Sequence, residues 1–121
     1  MNYIVFDLEW NQCPDGKEKE IKDMPFEIIE IGAVKLDSQR RVIDTFAKNI
    51  VPGVYQTLHP VMQDLIGTTM GELVEKGVPF PQAVKEFMEW CGDDYIFCTW
   101  GCMDLTELQR NCDYYKINLN L

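Results

Sequence analysis

Histidine is almost missing from this chain: His59 is the only one in 121 residues. It precedes Pro60 and reads as a loop or helix-entry residue. Basic residues are also scarce, with 11 Lys and Arg against 20 Asp and Glu, for a net charge of -9. A basic footprint of the kind that grips long duplexes is therefore absent. Acids that serve as metal ligands would soften this conflict with nucleic-acid binding, because bound cations reverse the local field. No window holds the ~18 consecutive apolar residues of a membrane span. The N-terminus lacks the basic start and apolar stretch of a signal peptide, so the expected location is cytoplasmic, with no membrane partner. Five cysteines, an odd number, without a secretory signal imply reduced thiols. Cys91, Cys98, Cys102 and Cys112 lie close in sequence, but paired CxxC spacing is missing, which weighs against zinc.

What is present suits one small domain. Hydrophobic residues make up 46 %, with three Trp, five Tyr and six Phe, enough for a packed core. No internal repeat or low-complexity segment breaks the chain. Residues 3–8 are apolar apart from one Asp and rich in strand formers, so they predict a buried strand. Residues 11–26, polar and punctuated by Pro-Asp-Gly, predict a loop. Strands follow at 27–36 and 41–50, joined by the turn at 37–40, which implies an antiparallel pair. Short helices are expected at 60–66 and 69–75. A longer one at 81–91 carries Val84, Phe87, Met88 and Cys91 at helical spacing. Residues 95–99 predict a fourth strand. Asp104 onward predicts a helix with Leu105, Leu108 and Cys112 on one side. Three strands, helices, a strand and a helix suit an α/β fold with a mixed sheet.

The sharpest chemical feature is Asp7-Leu8-Glu9. Side chains at i and i+2 of a strand share a face, with backbone positions roughly 6.6 Å apart. Two carboxylates on one face of a buried strand are costly unless a cation sits between them. Hard oxygen ligands suit Mg²⁺ or Mn²⁺. An acid-x-acid triplet is common, and by spacing alone it is ordinary. The apolar run YIVF before it places Asp7 in the sheet. Asp104 follows the fourth strand near a helix start, where an acid also serves as a cap or complements the positive helix end.

Taken in order, these segments resemble the DEDD exonucleases. FDLEW is similar to the first family motif, EIIEIGAVKLD to the second strand, LIGTTMGELVEKG to a helical stretch, and TWGCMD to the second motif. FDLEWN with Trp-Gly before the acid is most similar to the KapD and histone-mRNA exonuclease-like subgroup. The resemblance implies an RNase H-like mixed sheet, with strands 1–3 antiparallel and a parallel fourth. It implies a two-metal 3'-to-5' exonuclease using Mg²⁺ or Mn²⁺ on the 3' end of single-stranded RNA or DNA, with RNA favoured. Asp7 would bridge both ions, Glu9 would bind one near the 3' hydroxyl, and Asp104 would help orient the site. Leu8 and Trp10 would contact the substrate, Trp10 by stacking on a terminal base. Core packing or a loop lid is an equal reading of Trp10.

The chain departs from the family where a His or Tyr and a fourth acid should follow Asp104. Nothing matches that third motif. Residues 1–121 are therefore expected to be the first portion of a single exonuclease domain, without its last strand and helix, and weak or inactive alone. The alternatives are a non-catalytic nucleic-acid or protein binding module on the same fold, and a structural domain whose acids only cap and solvate. A missing last strand would leave residues 95–99 as an exposed edge, open to self-association.

Overall fold

The computed structural model describes residues 1–101 and 103–119. Four strands form one sheet, β1 (Asn2–Gln12), β2 (Phe26–Leu36), β3 (Val42–Asn49) and β4 (Tyr95–Cys98), in the order β3-β2-β1-β4. The first three pair antiparallel, and β4 joins β1 in parallel. Helices α1 (Pro60–Ile66), α2 (Met70–Lys76) and α3 (Phe80–Cys91) connect β3 to β4, and α4 (Met103–Tyr114) follows. This is the expected mixed sheet of an RNase H-like fold. No helix among the described residues is long and apolar enough to cross a membrane.

β1 alternates along its first half. Ile4, Phe6 and Leu8 are buried, while Val5 and Asp7 are exposed. The buried face meets Ile31 and Ala33 of β2, and Phe87 of α3 sits at its centre. The Phe87 ring lies 5.9 Å from Phe6, 5.4 Å from Phe46 and 6.0 Å from Phe97. Val84 and Cys91 are buried beside Phe87, and Met88 packs at the margin. From α4, Leu108 and Cys112 join the same core, but Leu105 points to solvent. The inward face of α4 is Asp104, Glu107, Leu108, Asn111 and Cys112, so polar residues replace Leu105 in the stripe that apolar spacing had suggested.

β1 runs beyond the expected residues 3–8 and takes in Asn11 and Gln12, the start of the polar segment that predicts a loop. Tertiary partners explain this. Asn11 is fully buried, donates to the Thr57 carbonyl at 3.0 Å and accepts the His59 N–H at 2.8 Å. The expected loop narrows to residues 13–25 and contains a 3-10 turn at Lys17–Lys19. A shift in register falls between Glu9 and Trp10: Glu9 faces Glu30, whereas Trp10 faces Ile28. Ile29 is the extra residue of this bulge. It leaves the main core for a second cluster with Leu58 and Leu73, so three successive residues, 27–29, are buried.

Smaller corrections are local. Thr69 caps α2 by accepting the Glu72 N–H at 3.1 Å, so the helix runs one residue later than expected. Thr99 lies outside β4. β4 ends the sheet on one side among the described residues. Leu119 packs against the core, and residues 117–119 form no strand. Cys102, Asn120 and Leu121 lie outside the described residues.

Candidate active site

β1 outlasts β4. Its parallel partner stops at Cys98 opposite Val5, and the ladder edge beyond carries orphan donors. Asp104, in the first turn of α4, fills one of these places: the Leu8 N–H donates to Asp104 Oδ2 at 2.9 Å. The contact joins residues 96 apart in sequence and brings the first acid motif to the second.

Asp7 lies within β1, paired with Gly32 of β2, and its side chain is on the exposed face of the strand. The alternation that buries Phe6 and Leu8 turns Asp7 the other way. Its carboxyl is held above the usual value of 3.8. Partial burial contributes most, followed by the charge of Asp104 and a hydrogen bond between the two carboxyl groups, while the Leu8 N–H pulls the other way. Glu9 is raised as well, by partial burial and then by the charges of Asp7, Glu30 and Asp104. No local feature of the sequence marks Glu30 as a neighbour of these acids. Only the register of β1 on β2 places it across from Glu9.

The neighbours of Asp7 along the sheet are small, Gly32 on β2 and then Ala47 on β3. They leave open space beside the carboxylate. Asp7 and Glu9, both raised in the company of Asp104, have no Lys or Arg ion pair among the described residues and form an uncompensated negative centre. Carboxylate oxygens are the donors that hard divalent cations take. The set thus fits Mg²⁺ or Mn²⁺ in kind. Among the described residues, no group of three or more His, Cys, Asp or Glu draws together closely enough to hold an ion by itself. Asp7 and Asp104 are in contact, and Glu9 stands next to them.

The two expected substrate contacts look different in the structure. The Leu8 side chain is 5 % exposed inside the core, so its free contribution is its backbone N–H, already given to Asp104. Trp10 is half-buried and packs on Phe26, with ring centroids 5.4 Å apart. His59 caps α1, its Nδ1 accepting the Val61 N–H at 3.1 Å. The described cysteines are unpaired, and burial pushes Cys91 up to about 11 and Cys112 up to about 12, so both are inert thiols.

Other buried polar groups on α4 are structural. Asn111 accepts the Ile28 N–H at 3.1 Å and donates to the Phe26 carbonyl at 2.9 Å, fastening α4 to the start of β2. Glu107 pairs with Arg110 at 3.0 Å. A hollow of about 1020 Å³ along α4, lined by Lys22, Leu105, Gln109 and Tyr114 among others, includes none of the three acids.

Residues 4–117 match the exonuclease family RNase_T. The probable 3'-5' exonuclease KapD of Bacillus subtilis (strain 168) is 29 % identical over 116 residues, which cover 94 % of this chain and 54 % of that protein. The chain thus spans about half the length of that relative. The nuclease domain of 3'hExo, a DEDDh family member solved bound to rAMP, superposes with a TM-score of 0.78 at 25 % identity, over 97 % of this chain and 60 % of that one. Cell-death related nuclease 4 superposes with a TM-score of 0.79 at 19 % identity, over 98 % and 41 %. The last likeness speaks for the fold alone.

Proposed function

We propose, on the premise that this chain belongs to the RNase_T exonuclease family, that it supplies the acidic half of a metal-dependent 3'-to-5' exonuclease site. Single-stranded nucleic acid would be the substrate, with RNA favoured by the likeness to a 3'-exonuclease solved with rAMP. The observation that carries the reading is the meeting of Asp7 and Asp104 across β1 and α4, pinned by the Leu8 N–H. A helix cap alone requires no second carboxylate at hydrogen-bonding reach.

Asp7, Glu9 and Asp104 would hold Mg²⁺ or Mn²⁺. Such ions stabilise the attacking and leaving oxygens of phosphodiester hydrolysis. The chain's own part is to place the acids. Asp104 fixes the head of α4 against β1, and the bulge after Glu9 sets the direction of the strand beyond it. Gly32 and Ala47 leave room beside Asp7.

The group that takes the proton from water is not supplied by His59, which is occupied at the head of α1. The same proposal therefore makes residues 1–121 the first portion of one exonuclease domain. Its support is the absence of a second histidine and the 54 % share of the KapD relative that the chain covers.

The test uses a 5'-labelled single-stranded RNA oligomer with Mn²⁺. The 121-residue chain should shorten it from the 3' end slowly or not at all, and the chain extended along its native reading frame should do so faster. General base catalysis is worth about 10²- to 10⁴-fold. Calorimetry should show Mn²⁺ binding by the short chain that Asp7→Asn removes. Failure of both chains to cleave, together with Mn²⁺ binding indifferent to Asp7, would refute the reading.

A further inference from the structure

Three tryptophans occupy different surroundings. Trp10 packs on Phe26 at 5.4 Å. Trp90 stacks against Phe46 and Phe87 and donates its indole N–H to Asp44 at 2.9 Å. Trp100 has no ring or hydrogen-bonding partner among the described residues and is 100 % exposed. An indole is among the largest apolar surfaces a chain can offer, and leaving it wholly in water forfeits that burial.

Its position is not arbitrary. Trp100 stands in the turn between β4 and α4, four residues before Asp104. The turn is shaped locally: the Thr99 hydroxyl donates to the Gly101 carbonyl, and Gly101 takes φ of +93°, a conformation that favours glycine. The same segment that delivers Asp104 to Leu8 therefore presents the indole. Met103 and Leu105, on the first turn of α4, are exposed as well. Bases stack on aromatic side chains irrespective of sequence, because every base has a π-face.

We propose that Trp100 is the platform on which a base of the single-stranded substrate stacks while the strand's 3' end lies at Asp7, Glu9 and Asp104. The inference rests on the nuclease reading, and it adds Trp100 as a stacking surface beside the one weighed for Trp10, which packs on Phe26. The chain's charge of -9 strengthens the case for stacking. With little basic surface to grip phosphates away from the acids, contacts that do not depend on charge carry more of the affinity.

The test measures binding of the 121-residue chain to a labelled, nuclease-resistant single-stranded oligonucleotide in Mn²⁺, by anisotropy and by intrinsic indole fluorescence. Stacking is worth about 1–3 kcal/mol per base, so Trp100→Ala should weaken binding by roughly tenfold or more. Trp100→Phe should retain most of the affinity but lose the fluorescence quench that the wild type shows on saturation. An oligomer of abasic units should bind wild type and Trp100→Ala alike. If Trp100→Ala binds as wild type does while Asp104→Ala is weaker, the platform is wrong and the nuclease reading stands. If Trp100→Ala leaves binding unchanged but reduces self-association, the indole serves protein contact and the platform is again overturned. If the wild type binds no single strand while Asp7 still binds Mn²⁺, the platform is overturned and the nuclease reading stands.

Discussion

Asp104 has two partners with opposite demands. Leu8 offers it a hydrogen bond, and Asp7 opposes its charge. Asp104→Ala leaves the Leu8 N–H without its acceptor, a loss worth about 1–3 kcal/mol, partly offset by relief of the charge on Asp7. We expect a net loss of about 1–2 kcal/mol in urea unfolding. Asp104→Asn keeps an acceptor oxygen and should unfold close to the wild type while binding Mn²⁺ less tightly. A stable Asp104→Ala would show that the tie to Leu8 is not worth what its geometry suggests. The raised carboxyls of Asp7 and Glu9 also fix a sign. An acid with a folded pKa above its unfolded value binds more protons when folded, so it favours the fold at low pH. This contribution is complete below the ordinary values of 3.8 and 4.5, and it is lost as pH rises through the raised folded values. Asp7→Asn should therefore flatten the fall in stability between about pH 4 and neutrality. Saturating Mn²⁺ at neutral pH should do the same for the wild type. Thermal unfolding across that range reads both, and a wild-type profile that rises with pH relative to Asp7→Asn would contradict the sign.

At the scale of elements, the passage from β3 through α2 to α3 holds the face opposite the acids in place. Gly77 closes α2 against the end of β3, where Val78 bridges Ile50. A Cβ there would lie 2.8 Å from the Val51 nitrogen and 2.9 Å from the Ile50 carbonyl carbon, and would also meet the Leu73 carbonyl. All three are backbone atoms that cannot turn aside. Gly77→Ala should cost about 1–3 kcal/mol in urea unfolding, although its φ of -80° is open to any residue. Binding of Mn²⁺ per folded molecule should be unaffected. An unchanged unfolding midpoint would mean that α2 can shift freely on β3. Glu27 works nearby in the same structural sense, accepting N–H groups from Gly53, Val54 and Tyr55 at 2.8, 2.8 and 3.1 Å. Its buried carboxylate organises the chain after β3 and takes no part among the site acids.

At the scale of the molecule, one side of the sheet carries the core and the other shows Val5 and Ile96 to solvent. β4 is a four-residue edge. Unpaired edges template pairing with another chain, and exposed apolar area adds to the drive. The charge of -9 keeps copies apart, most strongly at low salt. Self-association should therefore increase with salt and with protein concentration in sedimentation experiments. A Lys placed at Ile96 should reduce it. A monomer that persists at high salt and high concentration would show that the edge is covered.

The sequence by itself determined the order of elements, the antiparallel and parallel pairings, and Asp7, Glu9 and Asp104 as the acids to watch. These depend on local signals: strand-forming runs, helix caps, the turn at residues 37–40 and the ordered family motifs. It did not determine that β1 would run on through Asn11, because a polar residue joins a strand only when distant groups such as the Thr57 carbonyl and the His59 N–H satisfy it. Nor could it place Glu30 across from Glu9, since cross-strand register is a property of two segments and of the bulge at Ile29. The exposure of Asp7 and of Trp100 was likewise decided in three dimensions. Burial depends on which face of a strand meets α3 and on what packs over a turn, and neither is written in the residues nearby.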